Sequence, residues 1–216
     1  MVTTRAERVR LGSRRRRDQE KQELRQAILN AASELILEMG YERFSLRRVA
    51  ERIGYSATTI YLYFENKDAL VAAVIEEGFS RFLRALEAVD TPDPLGRIAD
   101  LGRAYVRFAL ANRVYYQLMF MQRADLLRYT RRGGDGRGTG EHPDSSFGVL
   151  LRAVRSAIDA GALRPGDARA YSFVLWAAVH GVASLVISGA APLDEATTAA
   201  VTEIALEASC RGLARA

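Results

Sequence analysis

Cysteine and histidine are nearly absent from this 216-residue chain: Cys210 is the one thiol, and His142 and His180 are the two imidazoles. A single thiol excludes an intramolecular disulfide, and three ligands scattered this widely argue against a structural zinc site. Alternating apolar and polar runs are also missing, so no segment reads as a strand. No apolar stretch follows the N-terminal charges, so no secretory leader is expected and a reducing, cytoplasmic location is. Catalytic patterns are missing as well. His180 and Ser184 lie one helical turn apart, but no neighbouring carboxylate orients the ring, and nothing near Cys210 in sequence marks it as activated. The Gly-rich stretch 131–140 has neither Gly-x-Gly-x-x-Gly nor a Gly-Lys-Ser/Thr ending, so it reads as a mobile loop and not a phosphate cradle. These absences give no reason to expect an enzyme, a cofactor or a metal.

Long apolar runs are absent with one exception, Tyr171 to Ile187. It is short for a membrane span and is interrupted by Ser172, His180, Gly181 and Ser184, so no membrane role is expected. A helix apolar on all sides needs cover on more than one face. Its own domain and a second subunit would supply that cover; a central helix of a monomer is the alternative.

What the chain does have is helical periodicity and enough apolar residues, 49%, to build a core as one or two domains. Leu24, Ile28, Ala32, Leu35 and Met39 predict a first helix over about 17–39 that stops at Gly40. Further helices are predicted over about 46–53, 57–64, 68–89, 95–111, 113–121, 146–160, 167–188 and 194–213. The expected fold is all-α, with about nine helices and no internal repeat.

The second and third helices carry the most information. Leu46, Val49, Ala50 and Ile53 form an inward stripe, while Arg47, Arg48, Glu51 and Arg52 face water. Ser45 and Ser56 are candidate N-caps, and Gly54 sits where a left-handed C-cap is wanted. Ile60 and Phe64 anchor the third helix, leaving Ala57, Thr58, Thr59, Tyr61 and Tyr63 at its mouth and flanks. Methyls and hydroxyls there suit base edges and phosphates in a major groove, and Lys67 adds a phosphate contact. The pattern is a helix-turn-helix; a surface motif with no nucleic-acid role is the plainer reading.

Charge supports the DNA reading. Residues 1–17 hold seven Arg and one Glu, whereas residues 18–67 are close to neutral and residues 68–216 carry 17 charges of each sign. Arg14, Arg15, Arg16 and Arg17 form an unbroken run in an arm with little to bury, so the arm is expected to be disordered when free and to order on phosphates or in a minor groove. A solvated tail or an attraction to acidic lipid explains the run equally well when it is taken alone.

Ile28-Leu29-Asn30-Ala31-Ala32, Gly40-Tyr41, Ile60-Tyr61-Leu62-Tyr63-Phe64 and Asn66-Lys67-Asp68-Ala69-Leu70 together resemble the DNA-binding domain of the tetracycline-repressor (TetR/AcrR) family of bacterial transcriptional regulators. The resemblance implies that Arg47 can reach a base edge, that Ala57, Thr58 and Thr59 face bases, and that Tyr61, Tyr63 and Lys67 contact phosphates. Tyr63 departs from the histidine common at its position. Ala104-Tyr105-Val106-Arg107-Phe108-Ala109, Tyr116-Gln117-Leu118-Met119-Phe120 and Trp176-Ala177-Ala178-Val179-His180-Gly181 are more weakly similar to that family's WHG-type regulatory domain.

The resemblance implies a homodimer through the last two helices, a palindromic double-stranded operator, and a small molecule that releases the DNA. The division expected is a basic arm over 1–17, a DNA-binding domain over 18–67, and an effector-binding and dimerisation domain over 68–216. Tyr105, Phe108, Tyr115, Tyr116, Met119, Phe120, Phe147, Phe173 and Trp176 suffice to line an apolar effector cavity, with tyrosine hydroxyls, the indole N–H and His180 as its polar groups; an ordinary core needs the same residues. The fourth helix, joining reader to cavity, is the expected switch. A sequence-nonspecific architectural DNA-binding protein is the main alternative function, and an all-α protein with an incidental basic tail is a third.

Overall fold

Helical periodicity becomes nine α-helices among residues 5–121 and 145–215, the part of the chain described by this computed structural model. They are α1 (Arg5–Arg43), α2 (Leu46–Ile53), α3 (Ala57–Tyr61), α4 (Lys67–Glu87), α5 (Pro94–Ala111), α6 (Arg113–Tyr116), α7 (Ser146–Asp159), α8 (Ala168–Ile187) and α9 (Glu195–Leu213). Among the described residues the sole β feature is an isolated antiparallel bridge between Leu163 and Ala214. The segment 131–140 and His142 lie outside the described residues. Two compact units divide the chain, Met1–Val74 and Ile75–Ala216, and the boundary between them falls inside α4.

In the first unit, α1 begins at Arg5, so residues 5–17 are helical where the sequence predicted a disordered arm. Arg, Ala, Glu and Leu are strong helix formers and no proline interrupts the run, so helix propensity outweighs the repulsion among neighbouring arginines. Gly40, at φ 75°, breaks α1 where the stop was predicted, and one further turn runs on to Arg43. Ile28, Leu29, Ala32, Leu35 and Ile36 of α1 are buried, as are Leu46, Val49 and Ala50 of α2, Ile60 of α3 and Phe64 beyond it. Arg52 donates to both carboxylate oxygens of Glu38, at 3.1 and 2.6 Å, and lies 3.5 Å from Glu34. This brace holds α2 against α1 and keeps the Glu38 carboxyl below its ordinary pKa. Arg52 is exposed, as the sequence suggested, and is also paired with two glutamates.

In the second unit α5 packs against α7, α8 and α9, and α8 packs against both α7 and α9. Asp93 caps α5 by accepting from the Gly96 amide at 2.6 Å, and Pro94 opens the helix where a missing N–H costs nothing. Arg103 of α5 clamps both oxygens of Glu203 of α9, at 2.7 and 2.6 Å, and also bonds Asp100 at 2.7 Å. The predicted single helix over 113–121 is instead α6 followed by a π-helical turn at Gln117–Met121. Seven of the residues from Val114 to Met121 are apolar, too many for one α-helical stripe, and the wider turn redistributes them.

Candidate functional site

The helix-turn-helix is assembled by local hydrogen bonds that the residues themselves dictate. Ser45 Oγ accepts from the Arg48 amide at 3.3 Å and starts α2. Gly54 ends it at φ 74° and ψ 29°, its N–H turned back to Glu51, while the Tyr55 amide donates to the Ala50 carbonyl at 2.9 Å. Ser56 Oγ accepts from the Thr59 amide at 3.1 Å and lies 2.9 Å from Thr59 Oγ1, one hydroxyl donating to the other. Regular α3 ends at Tyr61, earlier than the predicted Phe64, because the Ile60 carbonyl takes the amides of both Tyr63 and Phe64 and tightens the last turn.

Around this frame, Arg47 extends from α2 with 83% of its side chain exposed and Glu51 3.3 Å away. Thr58 and Tyr61 are exposed, Ala57, Thr59 and Tyr63 are half-buried, and Ser45 and Ser56 spend acceptor capacity on their caps. Lys67 is less free than its sequence position suggested. Its ammonium sits 4.0 Å above the Tyr41 ring and donates to the Glu42 carbonyl at 3.3 Å, while Tyr41 bonds Asp68. Arg14, Arg15, Arg16 and Arg17 are exposed on α1, pointing around the helix because they are consecutive, with Glu20 3.8 Å from Arg16. Tyr55, half exposed in the turn before Ser56, was not singled out from the sequence; its place next to a cap is the signal that would have found it.

The second unit holds an apolar cavity of about 580 Å³, counted with the part that opens to solvent. Of the residues expected there, Tyr105, Phe120, Phe147 and Trp176 line it. Tyr116 and His180 stand behind the wall, in one network with Tyr105 and Trp176. Trp176 Nε1 donates to Tyr105 Oη at 3.1 Å, Tyr105 Oη lies 3.1 Å from Tyr116 Oη, and Tyr116 Oη lies 2.7 Å from His180 Nδ1. Tyr105 Oη is also 3.0 Å from that nitrogen. One proton order satisfies the chain: indole to Tyr105, Tyr105 to Tyr116, Tyr116 to an unprotonated Nδ1. Burial pushes the His180 pKa down, which favours this neutral ring, and pushes both tyrosines up.

Four expected lining residues lie elsewhere, among them Tyr115, which is buried with the Arg81 guanidinium 4.6 Å above its ring. Phe108 packs on Phe82 at 5.0 Å, Met119 is buried beside Gly78, and Phe173 is partly exposed, packed on Phe147 at 4.9 Å. Much of the wall was not anticipated from the sequence, including Phe82, Leu86, Leu101, Ser146, Val179 and Leu206. Among the described residues no group of His, Cys, Asp and Glu is placed to hold a metal.

Fold and site together define a helix-turn-helix DNA-binding regulator with an apolar cavity in a separate helical unit. Comparison with known proteins makes the class specific. Residues 28–74 match the family model for bacterial regulatory proteins of the tetR family, and residues 98–208 match that for the tetracyclin repressor-like C-terminal domain. The chain belongs to the TetR family of transcriptional regulators, which are DNA-binding proteins and not enzymes.

Among similar proteins, the fatty acid metabolism regulator protein of Bacillus subtilis is 35% identical over 60 residues, 28% of this chain and 31% of that protein. The regulator TtgR of Pseudomonas putida is 38% identical over 85 residues, 38% of this chain and 40% of that one. The chain thus spans well under half the length of these curated relatives. A Rhodococcus sp. RHA1 protein of unknown function is 30% identical, with a TM-score of 0.67 over 89% of this chain and 96% of that one. The fatty acid degradation regulator FadR of Bacillus halodurans, 18% identical with a TM-score of 0.69 over 84% and 94% of the two chains, shares the fold.

Proposed function

We propose that this protein is a homodimeric, sequence-specific repressor that binds a palindromic operator and is released by a small, largely apolar effector. The observation that carries the reading is the apolar cavity in the unit next in chain order to the helix-turn-helix, joined to it by the unbroken helix α4. An effector that prefers one tilt of α4 changes the spacing of two reading heads. Heads entering successive major grooves must stay about 34 to 36 Å apart, so a small tilt is enough to weaken binding.

Dimerisation explains α8. Among the described residues it is the one helix long and apolar enough to cross a membrane, yet little of it is buried within the chain. Val174 and Leu185 of α8 and Ile204 of α9 are large apolar side chains left exposed, the last of them 65% exposed. A second copy covering these helices removes that surface from water. In this reading Arg47, Ala57, Thr58 and Thr59 face bases, while Tyr61, Tyr63, Lys67 and Arg14 to Arg17 hold phosphates, and the protein acts in the cytoplasm where its DNA is.

Linkage tests the reading. A coupling of about 1 to 3 kcal/mol changes operator affinity roughly 5 to 150-fold, and operator must weaken effector binding by the same factor. Effector affinity is measured with and without saturating operator. Unequal values in the stated direction are expected, and equal values contradict release by an effector.

A further inference from the structure

Among the described residues three polar side chains line the cavity: Tyr105, Trp176 and Ser146. The first two are already spent on each other, since the indole N–H donates to Tyr105 and the Tyr105 hydroxyl is engaged with Tyr116 and His180. Ser146 differs. It is 4% exposed, and its Oγ has no hydrogen-bond partner among the described residues. A buried hydroxyl without a partner carries a desolvation cost that is ordinarily avoided. It is not needed as a helix cap, because the preceding residue, Ser145, fills that role by accepting from the Gly148 amide at 2.9 Å.

We infer that Ser146 is the hydrogen-bonding point for the effector, and that the effector is a neutral molecule with a carbonyl or other oxygen acceptor at one end and an aliphatic or aromatic body at the other. This rests on the effector reading above. The acceptor is preferred because Ser146 opens α7, whose N-terminal end carries partial positive charge. Neutrality follows from the wall: among the described residues none that lines it is charged, so an ionised head group would enter without a counter-ion there. The apolar body then lies along Phe82, Leu86, Leu101, Val179 and Leu206.

The sole tryptophan of the chain, Trp176, lies in the cavity wall and reports occupancy by its fluorescence. Full-length protein and Ser146→Ala are titrated with 2-octanone, with its hydrocarbon isostere 2-methyl-1-octene, and with octanoate. Ser146→Ala removes only the hydroxyl and leaves the Ser145 cap intact. The expected result is a loss of about 3- to 10-fold in ketone affinity in the variant, the usual size of one hydrogen bond, with hydrocarbon affinity unchanged within about twofold. Octanoate is expected to bind the wild type more weakly than the ketone. Equal changes for ketone and hydrocarbon, hydrocarbon binding without ketone binding, or tighter binding of octanoate would overturn the assignment while leaving a cavity ligand standing. Failure of all three probes to alter Trp176 fluorescence would overturn the effector reading and the Ser146 assignment together.

Discussion

Replacing Tyr105 by phenylalanine removes one oxygen from the cavity wall and nothing else. That oxygen accepts from Trp176 Nε1 at 3.1 Å and lies 3.1 Å from Tyr116 Oη and 3.0 Å from His180 Nδ1. Tyr116 keeps its 2.7 Å bond to His180 in the variant, so the imidazole nitrogen is not orphaned. The indole N–H is. Removing one partner of a buried hydrogen bond and leaving the donor unpaired costs about 1 to 3 kcal/mol, so Tyr105→Phe is expected to destabilise the protein by that amount. Tyr171→Phe is the control, because its hydroxyl meets Arg164 Nε at 3.2 Å near the surface and its removal is expected to cost under about 0.5 kcal/mol. Both variants are unfolded in urea at one fixed protein concentration, and midpoint shifts are converted through the slope. Equal shifts for the two variants would refute the claim that the Trp176–Tyr105–Tyr116–His180 chain supports the cavity wall.

Other expectations follow from single features. Burial holds the His180 pKa below its ordinary value, so the unfolded chain protonates this ring first. The stability it contributes is complete above about pH 6.5 and falls as pH drops from there to the depressed folded value; His180→Gln is expected to lose this component of a pH-dependent melting profile. Gly54→Ala meets no atom within 4 Å but forces a side chain into φ +74°, so a loss of about 1 to 2 kcal/mol by denaturation is expected, with no steric component. Ser56→Ala removes the acceptor of the Thr59 amide and is expected to cost about 1 kcal/mol, read by the same denaturation, and to weaken DNA binding through a frayed α3. Deletion of residues 1–17 is expected to flatten the salt dependence of DNA binding by about 0.9 in log–log slope for each phosphate the arm no longer neutralises; an unchanged slope would take the arginines out of the interface.

Local chemistry was the legible part of this chain. Ser45, Gly54 and Ser56 act on atoms three or four residues away, so these residues announce the turn, and helices with an apolar stripe show their ends to within a few residues, the start of α1 excepted. Gly40 announced the break in α1 for the same reason. The cavity was legible only as a composition. Tyr105, Tyr116, Trp176 and His180 meet across as many as 75 residues of sequence, and an aromatic that lines a cavity reads the same as one that fills a core. Phe108 and Phe173 therefore group with Tyr105 in the sequence, although one packs on Phe82 and the other faces outward. Ser146 left a faint trace: two serines open α7 and one cap needs only one of them. The arm reads as disordered when its charge alone is weighed, and as helix once the propensity of its arginines and leucine is counted.

Paired recognition helices reading DNA sequence are the central claim. Selection of bound duplexes from a random pool by the purified full-length protein tests this most directly. A two-fold symmetric site is expected, with half-sites spaced for successive major grooves, about 34 to 36 Å centre to centre, or a multiple of that spacing, and with base preference abolished in the half-sites when Arg47 and Thr59 are replaced. Recovery of unselected, random sequence, bound as tightly as any enriched site, would contradict it.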